Sequence, residues 1–71
     1  MTEHLKTTMK VQRARLDLTQ AGLAERAGVT RKSINAIETG AMAPSTILAL
    51  KLARALGVSV EELFSLEEAP D

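Results

Sequence analysis

Residues 20–39 read QAGLAERAGVTRKSINAIET, and their pattern decides the fold. Leu23, Ala24 and Ala27 recur at helical spacing, Gly28 interrupts them, Val29 follows, and Ile34 and Ile37 restart the period. This spacing predicts helix, turn, helix. Thr19 stands before the first segment and Thr30 before the second, each offering a side-chain oxygen where a helix start leaves backbone N–H groups unbonded. Gly28 falls where the first helix ends and the chain reverses, a position that calls for positive φ. Ala24 is small where the two helices of such a motif cross, and a larger side chain would force them apart.

Working outward, LTQAGLAERAGVTRKSINAIETG at 18–40 is followed by Pro44-Ser45 and by LARALGVSVEELF at 52–64. This succession resembles the Xre-type helix-turn-helix domain of phage Cro and repressor proteins and many small bacterial regulators, over roughly Met9 to Phe64. The resemblance is carried by Thr19-Gln20, Leu23-Ala24, Gly28-Val29, Ile34, Ile37-Glu38 and Gly40 as a set. Two residues depart from the pattern. Gly22 replaces a polar helix former and weakens its helix by about 1 kcal/mol relative to alanine. Gln12 replaces an apolar residue of the first helix. The resemblance implies an all-α fold, a compact bundle of about five short helices with the helix-turn-helix at helices 2 and 3. It also implies binding to double-stranded DNA and a structural ion pair between Arg13 and Glu38.

At 71 residues the chain fits one domain, with a core small enough that oligomerisation would help to stabilise it. Without cysteine it has neither a disulfide framework nor a thiolate metal site. Its only histidine, His4, reads as a solvated terminal residue. No apolar run approaches membrane-spanning length and no signal-peptide pattern opens the chain, so a cytoplasmic protein is expected. The formal charge is zero, yet it is unevenly spread. Residues 1–40 carry seven basic and four acidic side chains, and residues 41–71 carry two basic and five acidic. The positive half surrounds the helix-turn-helix, as neutralisation of phosphates requires.

Residues 1–7 lack periodicity and read as a flexible lead, 8–66 as the DNA-binding domain, and 67–71 as a short acidic tail. A first helix is expected from Thr8 to about Asp17, with Met9, Gln12, Arg13 and Leu16 on one face. Arg13 then points inward and needs a partner, and Glu38 lies at the inner edge of the third helix beside Ile34 and Ile37. That third helix, Thr30 to Glu38, divides into two stripes. Ile34 and Ile37 face the core; Lys32, Asn35 and Thr39 share the opposite side, flanked by Arg31 and Ala36. Ser45 opens a fourth helix that closes at Gly57, with Ile47 and Leu50 off its main apolar stripe. Ser59 and Glu62 form a capping box for a fifth helix from Val60 to about Phe64 or Ser65.

No convergent nucleophile, base or metal ligand set is legible, so no enzyme, cofactor, metal or small-molecule ligand is expected. On the second helix of such a motif, the polar stripe is expected to read base edges through Arg31, Lys32, Asn35 and Ala36. Thr19, Gln20, Thr30 and Thr39 lie at helix ends, where they are expected to meet phosphates. Ile47, Leu50, Leu63 and Phe64 are expected to form a homodimer interface, with closure of the chain's own core the alternative for Leu63 and Phe64. The expected function is a sequence-specific regulator of transcription, a repressor acting as a homodimer on a palindromic operator. The alternatives are a DNA-binding antitoxin, and a protein-interaction module that does not read DNA.

Overall fold

The computed structural model describes residues 3–68, so both ends of the chain, including the last residues of the expected acidic tail, lie outside the described residues. The order is β1 (Glu3–Thr7), α1 (Met9–Arg15), α2 (Gln20–Ala27), α3 (Arg31–Glu38), α4 (Thr46–Leu56), α5 (Val60–Leu63) and β2 (Phe64–Glu68). Helix starts follow from local chemistry. The hydroxyls of Thr19, Thr30 and Ser45 accept the N–H groups of Gly22, Ser33 and Leu48 at 2.9, 3.1 and 3.1 Å. Ser59 and Glu62 bond reciprocally at 3.1 and 3.0 Å, a complete capping box. Gly28 ends α2 in the left-handed region at φ 72°, where a Cβ would be strained. The turn after α1 is made differently, by Asp17 itself at φ 57°.

Met9, Leu23, Ile34, Leu52, Leu56 and Leu63 are fully buried and come from all five helices. Removing such a side chain from water contributes about 1.5–3 kcal/mol each. α2 packs against both α3 and α4. Held by Ile34 and Ile37, α3 turns its remaining face outward. No helix of the described residues is long and apolar enough to cross a membrane.

The expectation of an all-α fold is corrected by β1 and β2, which pair antiparallel from Glu3 opposite Glu68 to Thr7 opposite Phe64. Residues 3–7 are therefore a strand where a flexible lead was expected, and Glu67 and Glu68 belong to its partner strand. α5 stops at Leu63 because Phe64 is already extended, at φ −131° and ψ 141°. Alternation places Leu5, Phe64 and Leu66 on one face of this sheet. On its other face His4 Nε2 lies 3.3 Å from Glu67 Oε2. The junction is locked by Thr7 and Thr8, whose hydroxyls donate to the carbonyls of Leu63 and Glu62 at 2.9 and 2.8 Å. The Thr8 N–H adds a 3.0 Å bond to the Leu63 carbonyl. The end of β1 and Thr8 after it thus satisfy carbonyls that the short α5 leaves without internal partners.

Leu63 is fully buried and Phe64 nearly so: both close the core of the chain itself, the alternative to a place in a dimer interface. Ile47 and Leu50 remain 68% and 55% exposed. Leu50 borders an apolar groove of about 480 Å³ whose other walls include Leu5, Val60, Phe64 and Leu66.

Candidate nucleic-acid interface

The outward face of α3 carries Arg31, Lys32 and Asn35, all exposed, lining one shallow depression. Neither Arg31 nor Lys32 has a hydrogen-bond or ion-pair partner among the described residues, so five guanidinium donors and three ammonium donors stay free. Ala36 lies beside them, half-buried.

Behind this face sits a polar anchor. Arg13 on α1 donates through Nε to Glu38 Oε2 at 2.7 Å and through Nη2 to Oε1 at 2.9 Å, a fork-on-fork pair. Its Nη1 donates to the Leu18 carbonyl at 3.0 Å. The two side chains are only 14% and 8% exposed. Burial pushes the Glu38 carboxyl up, but hydrogen bonds from Arg13 and Gln20 and the charges of Arg13 and Lys10 outweigh it, holding its pKa below the ordinary carboxylate value. The bond to Glu38 likewise raises the Arg13 guanidinium. One ion pair therefore fixes α3 against α1 and the turn before α2.

Gln20, the first residue of α2, reaches into the same cluster. Its Nε2 lies 3.2 Å from Glu38 Oε1 and 3.3 Å from Asn35 Oδ1. The amide N–H groups that suit a phosphate are thus spent inside the protein, and the remaining oxygen can only accept. Phosphate oxygens also only accept, so a side-chain phosphate contact from Gln20 does not fit this geometry. The threonines divide similarly. The Thr39 hydroxyl turns back onto the carbonyls of Asn35 and Ala36, and that of Thr30 donates to Ser33 Oγ at 2.8 Å. Thr19 accepts from Gly22 and is exposed, so its hydroxyl can still donate beside the first N–H groups of α2.

Sequence reasoning missed two neighbours. Lys10 lies with Arg13 and Thr19 around a depression next to the start of α2, and only its i, i+3 relation to Arg13 signalled it. Arg15 accepts no inward role from periodicity, yet its Nε donates to Gln12 Oε1 at 3.0 Å and its Nη2 to the Leu56 carbonyl at 2.8 Å. Gln12, which departs from the family pattern, is used in that link.

A helix-turn-helix family model matches residues 9–63, which spans α1 through α5. The chain belongs to the Xre-like helix-turn-helix family. Curated relatives agree with that membership. An uncharacterized HTH-type transcriptional regulator of Methanothermobacter thermautotrophicus is 49% identical over 65 residues, covering 90% of this chain and 94% of the relative. The regulators YgzD of Bacillus subtilis and MJ0272 of Methanocaldococcus jannaschii are each 44% identical over 64 residues, covering 90% of this chain and 97% of the relative. Membership of this helix-turn-helix family implies binding to double-stranded DNA; the family is one of transcriptional regulators and not a class of enzyme.

Proposed function

We propose that the chain is a sequence-specific regulator that binds a palindromic operator as a homodimer and represses transcription from it. The observation that carries this reading is the free donor face of α3, Arg31 and Lys32 with Asn35, held rigidly from behind by the Arg13–Glu38 pair. Arg31 and Lys32 occupy the first turn of α3, the end of a recognition helix that enters the major groove. They suit the O6 and N7 acceptors of guanine. Ala36 lets the helix approach closely, against a thymine methyl. Phosphates are met by the Thr19 hydroxyl, Lys10 and the N–H groups that open α2, and by the N-terminal turn of α3 behind Thr30.

Dimerisation is assigned to Ile47 and Leu50 on the outer face of α4, whose exposure exceeds what a single small core requires. Selection of bound sites from random duplex DNA tests the function. Recovery of one motif with twofold symmetry supports it, and recovery of no motif excludes sequence-specific reading.

A further inference from the structure

We propose that Gln20 is a positioning residue for base reading: it turns the Asn35 amide so that its NH2 group, and not its oxygen, faces the major groove and donates to a base acceptor. This rests on the DNA-reading function above and deepens it.

The polarity of the cluster leaves no freedom. A guanidinium carries only donors and a carboxylate only acceptors, so Arg13 on both Glu38 oxygens fixes the first link. Glu38 Oε1 also faces the Gln20 amide at 3.2 Å, and a carboxylate that can only accept requires the NH2 end there. That nitrogen has a second hydrogen. It points to Asn35 at 3.3 Å, and Asn35 can accept it only through Oδ1. The Asn35 NH2 group is consequently turned away from α2, on an exposed residue of α3. A free asparagine offers donor and acceptor ends alike, whereas here the charge of Arg13 is relayed through Glu38 and Gln20 into one orientation.

Such a donor is matched by guanine O6 and N7, adenine N7 and thymine O4, and opposed by the N4 amino group of cytosine. Gln20 contributes no donor of its own to the DNA from its side chain.

The test selects duplexes from a random pool with the full chain, with Asn35→Ala, with Gln20→Ala and with Gln20→Lys. Asn35→Ala identifies the base pair that Asn35 reads, as the one position whose preference it erases. Gln20→Ala is expected to weaken preference at that same position by roughly three- to tenfold, the worth of one hydrogen bond, with the preferences at the other positions retained. Gln20→Lys supplies an ammonium that donates to both Glu38 and Asn35, so it is expected to retain the preference. Gln20→Met, which keeps the stem and lacks the donor, carries the same expectation as Gln20→Ala should the latter fail to fold by circular dichroism. The inference is overturned if Asn35→Ala erases no position, or if Gln20→Ala and Gln20→Met leave that position intact. It is equally overturned if they weaken binding to every duplex by one factor, the mark of a phosphate contact. Failure of the underlying function is separately visible, because the unsubstituted chain would then enrich no motif at all.

Discussion

Arg13 and Glu38 show at the scale of single residues how a charge can sit inside so small a protein. Each guanidinium N–H on the inner side has an acceptor, and both carboxylate oxygens are bonded. Removing one partner leaves the other desolvated and unpaired, so Arg13→Met and Glu38→Gln are each expected to cost about 3 kcal/mol. In urea melts the double variant should lose clearly less than the sum of the two; simple additivity would mean the groups are not coupled. A pH dependence follows from the same pair. The folded pKa of Glu38 is depressed, so its stabilisation is complete above the unfolded value of about 4.3 and is lost as pH falls through the lower folded value. Glu62, whose carboxylate accepts the Ser59 N–H, shifts in the same direction. Acid titration of the unfolding midpoint should therefore be shallower for Glu38→Gln than for the unsubstituted chain. Asp17 makes a separate case, because its φ of 57° strains any side chain with a Cβ. Asp17→Val is expected to destabilise by about 1–2 kcal/mol, and Asp17→Asn to leave the melting temperature within experimental error.

At the scale of elements, α3 is the part whose chemistry is exposed. Arg31→Ala or Lys32→Ala is expected to cost about 1–3 kcal/mol of operator binding and to relax preference at one base pair per half-site. Equal losses on operator and random duplex, measured by titration at one salt concentration, would make these residues phosphate contacts instead. The start of this helix was legible in the sequence because its signals are local. Thr30 lies three residues from the N–H it caps, and Ile34 and Ile37 lie within one turn of each other. Gly28 and Gly57 announced their left-handed turns in the same way, whereas Asp17 did not, since a positive φ is sought at glycine. The strands stayed hidden for the opposite reason. Thr7 and Phe64 pair across most of the chain, and five residues with one or two apolar members give no period that stands out. Sequence reasoning brought Arg13 to Glu38 through burial of a charge, and it could not see Gln20 join them. A side-chain amide at a helix start suits phosphate and protein equally until the rotamers of α3 are known.

For the whole molecule, polarity of charge and polarity of surface run together. The basic half of the sequence surrounds α2 and α3, while exposed Leu50 on α4 lies beside Leu5 and Leu66 of the two strands, with Ile47 one helical turn before it. A twofold axis through that apolar side would leave both α3 faces free to meet successive major grooves, about 34 Å apart. Burial restricts which residues can serve. Leu63 has no exposed surface, so Leu63→Ala should act on folding, with a loss of about 2–5 kcal/mol and no selective effect on assembly. Ile47→Asp and Leu50→Asp instead place charges at sites more than half exposed, where the folded protomer tolerates them. The pair is expected to leave the circular-dichroism spectrum and melt of dilute protein close to the unsubstituted chain while shifting sedimentation to a 7.6 kDa species. On an operator with two half-sites, this variant should bind each half-site independently, because linkage between protomers no longer raises the local concentration of the second. An unsubstituted chain that already sediments at 7.6 kDa in the micromolar range and occupies DNA one protomer per site would rule out the dimer.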